Sequence, residues 1–561
     1  MRSPRRPRDP VPPVTDTRPL DLAHPPPSGD GHQGDVPAPP VLADGDRQPG
    51  ELSDGQVRVL LASVLVVAAC GLLYELIVGT LSSYLLGNST LHFSLTIAGF
   101  MSAMGLGSLL SRRIHGDPLA WFVGVELAVG AVGGGGAALL YAAYTYTPPV
   151  YHAAMAAVVL AIGILIGLEI PLVARILDRA GRHRRDTVAN VLAVDYVGAL
   201  VAGLAFPFLL LPTLGVLRTS FVTGAVNLAV VAACLWAFRR EIRRRARRGL
   251  SATAAALAVV LVGGAGGAAW LASTFEAKLY RAPVVYAEQS PYQRLVVTRS
   301  GRGGDTDTRL FLNGALQFST RDEHRYHEML VHPAMALAPS RATVLVLGGG
   351  DGMAVREVLK WPGVRSVTLV DLDPAVTRLA QTHPALVQAN RQSLADPRVT
   401  LRHEDAYRFI ESGTDLFDVI LVDLPDPNHE SLSKLYSRPF YELLRARLAA
   451  GGTVAAQSTS PYFAREAFWS IVATAEAADL HPVPYHVWVP SFGDWGFFLG
   501  STHAVRPERL AVPVETRFLT PDQFRTAQLF DADVSRVPAE VNTLDDPVLL
   551  RYYEHGWARW Q

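Results

Sequence analysis

The hydrophobic positions of this chain fall into two patterns. In the first half they form long runs with few charges, and in the second half they occur in short groups between polar residues. A helix needs about 20 apolar residues to cross a bilayer, and seven runs approach or exceed that length. The first pattern therefore predicts a multi-helix transmembrane bundle of about seven helices over residues 57–272, rich in the glycine that close packing in lipid favours. The runs are 57–79, 91–110, 119–144, 151–174, 190–211, 215–238 and 252–272.

Charge alternates between the connections that join these runs. Arg112 and Arg113, then Arg175–Arg185, then Arg239–Arg248 occupy every second connection, and the others carry almost no charge. Basic loops stay in the cytoplasm, so the sequence predicts a multi-pass protein of the cell membrane with a cytoplasmic N-terminus. Seven crossings would place everything after residue 272 outside the cytoplasm. Alternatively, one run does not cross, and the sequence leaves both topologies open.

Four acidic residues interrupt the predicted spans. Charged side chains at such depth are costly and usually face the interior of a bundle. Two interpretations fit them: a cation site or path, and hydrogen bonding between helices near the ends of the spans. The residues are Glu75, Glu126, Glu169 and Asp195.

Composition sets limits on the rest of the chain. Residues 1–50 are rich in Pro, Gly, Asp and Arg and poor in aromatic residues, which predicts a disordered tail. The formal net charge is zero, so no overall field attracts nucleic acid, and we expect no nucleic-acid partner. The two cysteines, Cys70 and Cys234, lie inside apolar runs, which excludes a disulfide framework or thiolate metal site elsewhere.

Short alternating patterns begin near residue 280 and predict a small β-rich subdomain over 280–340. The segments 293–300 and 309–318 have the pattern of strands, with Asn-Gly as a hairpin signal, and 320–337 has apolar residues at helical spacing. The polar residues of this helix lack the HExxH spacing and a further ligand nearby, so no metal site is predicted. They are Asp322, His324, His327 and His332.

Residues 344–373 contain a buried strand, a turn with four glycines, a helix and a second strand that ends on Asp371. Glycines let backbone approach a ligand closely, and an acid after the second strand can accept hydrogen bonds from two ribose hydroxyls. This unit predicts a nucleoside-binding, α/β Rossmann-like domain over 341–520, followed by a C-terminal extension over 521–561.

Acidic residues follow successive predicted strands. Ligands of open α/β sheets lie outside the carboxyl ends of strands, so we expect these side chains to meet in one crevice. Helix capping by aspartate explains one or two of them. A crevice with this much negative charge favours a positively charged ligand. The residues are Asp351, Asp371, Asp405, Asp423 and Asp426.

Residues 280–505 resemble the spermidine synthases, the polyamine aminopropyltransferases. The matching motifs agree in order and spacing, and the helical part and C-terminal stretch 541–557 are similar to a membrane-fused bacterial branch of that family. The motifs include YQRLVV (292–297), LNGALQFSTRDEHRYHEMLVH (312–332), VLVLGGGDG (344–352) and DVILVDLPDP (418–427).

The resemblance implies that the Rossmann-like domain is of the class I S-adenosylmethionine-binding type. It also implies transfer of an aminopropyl group from decarboxylated S-adenosylmethionine, a co-substrate and not a cofactor, to an amine such as putrescine. It implies that Asp423 is the proton acceptor, that Asp426 holds the diamine, and that Tyr326 and His327 line the diamine channel. The expected donor contacts are Asp351 for the free amine, Asp371 for ribose, Asp405 for adenine with Ala406 beside it, and Gln293. A homodimer is a further expectation of the resemblance.

Several residues depart from the family pattern, which leaves the identity of the acceptor open. Two other functions also stay open: an S-adenosylmethionine-dependent methyltransferase, and a polyamine transporter or sensor whose synthase-like domain only binds its ligand. The departures are Asn313 for Asp, Asp371 for Glu, Ala406 for Gly, Asn428–Glu430 for a Gly-Pro-Ala segment, and Phe492 for Tyr.

Overall fold

The computed structural model describes residues 52–86, 89–179, 184–303 and 306–560. The predicted disordered tail over residues 1–50 lies outside this range. The described residues contain seven long helices, followed by two β-sheets with their own helices.

Each of the seven predicted apolar runs falls on a helix of an N-terminal bundle. Within the described residues, six continuous helical stretches are long and apolar enough to cross a membrane. The numbers differ because α5 and α6 belong to one stretch, Ala189–Ala237. The helices are α1 (Asp54–Leu86), α2 (Ser89–Leu110), α3 (Pro118–Tyr146), α4 (Tyr151–Arg179), α5 (Arg184–Ala205), α6 (Leu211–Ala237) and α7 (Arg244–Leu279).

The chain reverses direction between α5 and α6, at a π-helical turn and at Gly215, whose φ of 68° is non-helical. Successive residues of α5 lie against successive residues of α1, whereas α6 meets α1 in the opposite order. The two helices are therefore antiparallel, and all seven alternate in direction. The pairs are Gly198–Leu65 and Gly203–Leu72 for α5, and Cys234–Ser63 and Thr223–Cys70 for α6.

Two of the four acids in the predicted spans meet inside the bundle. Glu126 has 0% exposure, and its Oε2 accepts a hydrogen bond of 3.0 Å from Nδ2 of Asn227. The carboxyl of Glu169 lies within hydrogen-bonding distance of the carboxyl of Glu126. Glu75 and Asp195 are half-buried. Of the two interpretations of these acids, hydrogen bonding between helices describes the contact of Glu126 on α3 with Asn227 on α6.

A four-stranded antiparallel sheet in the order β1-β2-β3-β4 follows the bundle. The expected Asn-Gly turn at 313–314 is present and joins β3 to β4 as a hairpin, whereas β1 was not predicted. Asn313 adopts φ of 48°, which asparagine tolerates better than most residues. The strands are β1 (Val284–Gln289), β2 (Arg294–Ser300), β3 (Asp307–Leu312) and β4 (Ala315–Ser319).

The predicted Rossmann-like domain contains a seven-stranded sheet in the order β10-β11-β9-β8-β5-β6-β7. Its apolar strands are buried on both faces, where helices cover them. Strands β7, β6, β5, β8 and β9 are parallel, and β11 joins β9 and β10 antiparallel. The strands are β5 (Thr343–Gly348), β6 (Ser366–Asp371), β7 (Val399–His403), β8 (Phe417–Asp423), β9 (Leu448–Gln457), β10 (Val483–Val489) and β11 (Gly493–Ser501).

In the part of the chain that the structure describes, ten shorter α-helices accompany the sheets, and the predicted helix 320–337 corresponds to the first of them. They are α8 (Glu323–Leu337), α9 (Met353–Leu359), α10 (Pro374–Thr382), α11 (Pro384–Asn390), α12 (Ala406–Ser412), α13 (Glu430–Ser433), α14 (Arg438–Ala446), α15 (Arg465–Ala477), α16 (Pro521–Thr526) and α17 (Val548–Trp557).

Buried polar contacts join the bundle to the sheets. Arg294 of β2 donates two hydrogen bonds of 3.0 Å to Glu276 of α7, which is 2% exposed. The hydroxyls of Tyr84 and Tyr280 lie 3.1 Å apart, at the ends of α1 and α7. Removing one partner of a buried ion pair leaves an uncompensated charge, so this joint resists separation.

Replacing Gly167 by alanine tests the close packing of α4 against α2. The added Cβ would overlap the backbone oxygen of Met104, which cannot rotate aside as a side chain can. We expect Gly167→Ala to lower the free energy of unfolding by about 1–3 kcal/mol in a denaturant titration of the detergent-solubilised protein.

Gly105→Ala, on α2, is the matched control. It gains the same helix propensity, but no heavy atom lies within 4 Å of the new Cβ. Equal effects of the two substitutions would contradict the packing described here.

Candidate active site

The glycine turn after β5 brings backbone against two aspartates. A Cβ at Gly349 would lie 2.8 Å from Oδ2 of Asp423, and a Cβ at Gly350 would overlap the carboxylate of Asp371. The register explains this, because Gly348 pairs with Asp423 across the parallel strands β5 and β8. The glycines are thus required for these carboxylates to reach the cleft above the sheet.

Asp423, at the end of β8, accepts a hydrogen bond of 2.7 Å from the Tyr326 hydroxyl. Burial raises the pKa of Asp423 to about 6, the nearby Asp351 adds to the rise, and His327 and Tyr326 oppose it. Burial and the charge of Asp423 raise the pKa of Tyr326 well above 10, so its hydroxyl stays protonated and donates. Asp423 is therefore a carboxylate near neutral pH that can accept a proton.

Two further aspartates bind backbone around the glycine turn. Asp371 accepts hydrogen bonds from the N–H groups of Gly350 at 3.0 Å and Asp373 at 2.9 Å. Burial outweighs these bonds and raises its pKa to about 6. Asp351 Oδ1 accepts a 2.8 Å bond from the N–H of Met353, at the start of α9, and burial raises the pKa of Asp351 as well.

His327 is a buried cation beside these acids. Its Nδ1 lies 2.9 Å from the Glu323 carboxylate, which also accepts two bonds from Arg356. Burial alone lowers the pKa of His327, but Glu323, Asp351 and Asp423 raise it to about 9. The sequence predicted His327 as a channel residue and did not identify Glu323, which holds it, or Arg356, which binds Glu323. A protonated His327 keeps Asp423 ionised.

The expected adenine contact, Asp405, already has protein partners. It caps α12 by accepting from the N–H of Arg408 and forms a 2.7 Å ion pair with Lys434. Burial alone would raise its pKa, but these partners lower it. Ala406 begins α12 beside it, and Nε2 of Gln293 donates to Asp373 at 3.1 Å. The alternative of helix capping thus applies to Asp405.

Asp426 has a different set of partners. Thr459 donates a 3.0 Å hydrogen bond to its Oδ2, while its Oδ1 is buried without a partner among the described residues. Burial raises the pKa of Asp426 to about 6, and Thr459, Tyr553 and Gln457 oppose that rise. Tyr553 belongs to the C-terminal extension, for which the sequence offered no local chemical signal.

All of the predicted site residues line one continuous cleft of about 2130 Å³. The cleft also reaches the bundle, where Tyr84, Arg218 and Glu276 form part of its wall. The individual roles of the site residues stay predictions. The residues are Gln293, Tyr326, His327, Asp351, Asp371, Asp405, Ala406, Asp423 and Asp426.

One histidine of α8, His332, has structural partners. His332 accepts a 3.0 Å hydrogen bond from Trp361 Nε1 and lies 3.0 Å from Glu357. Within the part of the chain that the structure describes, no group of three or more His, Cys, Asp or Glu side chains could hold a metal ion.

Comparisons with known proteins agree with this geometry. Residues 323–508 match the Spermine/spermidine synthase domain. Polyamine aminopropyltransferase 1 of Ralstonia nicotianae is 45% identical, with 93% of this chain and 99% of the relative covered. Polyamine aminopropyltransferase of Mycobacterium tuberculosis is 41% identical, with 91% and 99% covered.

The chain belongs to the polyamine aminopropyltransferase family. It is therefore an enzyme of this family, and the methyltransferase and transporter alternatives are not favoured. A solved spermidine synthase in complex with the transition-state analogue AdoDATO aligns over 44% of this chain and 84% of its own, with 24% identity and a TM-score of 0.40.

Two departures from the pattern of the aminopropyltransferases have visible structural consequences. The amide oxygen of Asn313 accepts a 2.9 Å hydrogen bond from the N–H of Arg294, as a carboxylate oxygen at this position could. Phe492 packs edge-on against Tyr326, with ring centroids 5.9 Å apart, and brings no hydroxyl to the cleft. The first change preserves an acceptor, and the second removes a polar group near Asp423.

Tyr326→Phe tests the control of Asp423 in this aminopropyltransferase. Without the hydroxyl, the carboxylate form loses a stabilising bond, so its pKa rises above the present value of about 6. The acid limb of the pH profile of kcat/KM should move to higher pH, by about one unit. Tyr462→Phe, at a residue 43% exposed, should leave the limb in place. A limb that stays or moves to lower pH in Tyr326→Phe would exclude this assignment.

Proposed function

We propose that this chain transfers the aminopropyl group of decarboxylated S-adenosylmethionine to putrescine or a similar amine. The observation that carries the proposal is the position of Asp423, bonded to Tyr326 in the same cleft as Asp351, Asp371 and Asp426. The products are spermidine, or a related polyamine, and methylthioadenosine.

The proposed mechanism starts with Asp423 as an ionised base. An ammonium group has no free lone pair, so Asp423 removes a proton from the acceptor amine. The amine nitrogen then attacks the methylene carbon next to the sulfonium. A carbon–nitrogen bond forms, the carbon–sulfur bond breaks, and its electron pair neutralises the sulfur. Since Asp423 must be ionised, activity should fall as the pH drops below about 6.

The donor would lie along the glycine turn between β5 and β6. Asp371 would accept hydrogen bonds from ribose, and its own bond from the Gly350 N–H fixes its orientation. Asp351 would present a negative charge where S-adenosylmethionine carries a carboxylate. A fixed charge of this sign favours the free amine of the decarboxylated donor and repels the carboxylated one.

Asp423→Asn tests the assigned base. Positioned general bases contribute roughly 10²–10⁴-fold, so we expect kcat/KM to fall by at least about 100-fold. Methylthioadenosine release by the purified full-length protein measures the loss. Asp415→Asn, at an exposed residue just before β8, is the control and should retain activity. Full turnover by Asp423→Asn would show that another group accepts the proton.

We also propose that the bundle spans the cell membrane seven times. Helices α1 to α7 alternate in direction, so α1, α3, α5 and α7 point toward the sheets, and the arginine-rich connections after α2, α4 and α6 lie at the opposite end. The positive-inside rule assigns those connections to the cytoplasm. The catalytic cleft would then lie on the extracytoplasmic side.

Labelling with a membrane-impermeant maleimide tests this topology. Cys70 and Cys234 are both buried, so they should add little background. In spheroplasts, Asp415→Cys in the sheet domain should react, and Arg240→Cys in the connection after α6 should react only after permeabilisation. Both positions are exposed. Labelling of both from the same side would mean that one helix does not cross.

A further inference from the structure

The C-terminal helix α17 forms a wall of the cleft, although it lies outside the matched synthase domain, residues 323–508. Tyr553, Glu554 and Trp557 of α17 all line the cleft together with Asp426 and Asn428. Positions three and four apart share one side of a helix, so this face of α17 is directed to the acceptor end of the site.

Close packing fixes the position of this helix. The rings of Trp557 and Phe463 stack with centroids 4.8 Å apart. A Cβ at Gly556 would lie 2.7 Å from Cα of Ala464, so only glycine allows the backbones to approach this closely. The wall is therefore a rigid part of the site.

Three oxygen atoms at this end of the cleft lack hydrogen-bond donors. Asp426 Oδ1, Asn428 Oδ1 and Glu554 Oε1 are each buried without a partner among the described residues. Buried acceptors are usually satisfied, and leaving them unpaired is costly. An ammonium group offers three N–H donors and no acceptor, so it supplies what these oxygens lack.

Nearby cations do not neutralise these acids. Lys434 forms a 2.7 Å ion pair with Asp405. Burial lowers the pKa of His429, so its imidazole is neutral near pH 7. Burial and the neighbouring Glu430 raise the pKa of Glu554, as expected for a carboxyl group without a positive partner. A cationic ligand would balance the negative charge of these acids.

We propose that Glu554, Asp426 and Asn428 bind the terminal ammonium group of a linear diamine or polyamine acceptor. The C-terminal helix would then select acceptors that carry a second positive charge, at the end remote from the amine that reacts. This inference rests on the proposed aminopropyl transfer. It assigns to the extension a binding role in the same cleft.

The test compares putrescine with n-butylamine, which has the same carbon chain but no second amine. Glu554→Gln removes the charge and keeps the shape, so the KM for putrescine should rise about tenfold or more. The KM for n-butylamine should not change, because that substrate never contacts Glu554. Glu554→Asp, which keeps the charge, should restore part of the affinity for putrescine.

Glu466→Gln is the matched control. Glu466 belongs to α15 and lies 3.7 Å from His555, which is on the outer side of α17. This substitution should leave both KM values unchanged. Equal changes for putrescine and n-butylamine in Glu554→Gln, or no change for either, would overturn the inference while leaving the proposed function in place.

Failure of the proposed function has a different signature. In that case the wild-type protein releases no methylthioadenosine with any amine. Calorimetric titration of putrescine into wild type and Glu554→Gln then provides the readout without turnover. Tenfold weaker binding by the variant would support the ammonium site, and equal binding would overturn it.

Discussion

Several carboxylates share one cleft in this protein. The rest of the active site depends on what keeps these carboxylates ionised and what balances their negative charge. Burial raises the pKa of Asp371, Asp423 and Asp426 to about 6 each. A further rise would leave these groups protonated, and therefore inactive, near neutral pH. The buried His327 cation, held by Glu323, opposes that rise at Asp423. The remaining negative charge makes the cleft complementary to cations, which both proposed substrates are.

Backbone geometry makes this concentration of acids feasible. The parallel register places Gly348 opposite Asp423, and the following glycines leave room for the carboxylates of Asp371 and Asp423. Bonds from backbone N–H groups to Asp371 and Asp351 orient these side chains without adding a competing cation. The same turn that is proposed to bind the donor thus positions the groups proposed to recognise it.

The parts of the chain outside the synthase domain also contribute to the cleft. The bundle is joined to the sheets by the buried pair of Glu276 and Arg294, next to Gln293, and α17 closes the opposite end through Trp557 and Phe463. Helices that alternate in direction place the sheets at the end of the bundle away from the arginine-rich connections. The site is therefore built jointly by three segments that are far apart in sequence.

The sequence by itself determined the seven apolar helices, the glycine turn and the acids that follow the strands, because these depend on local periodicity and on the fixed geometry of parallel strands. It did not predict β1 or the ion pair with Lys434 that occupies Asp405. Only the tertiary structure decided that Arg356 binds Glu323, the residue that holds His327, and that Tyr553 reaches Asp426. These contacts join residues separated by tens or more than a hundred positions, and no local pattern specifies which distant side chains a fold brings together.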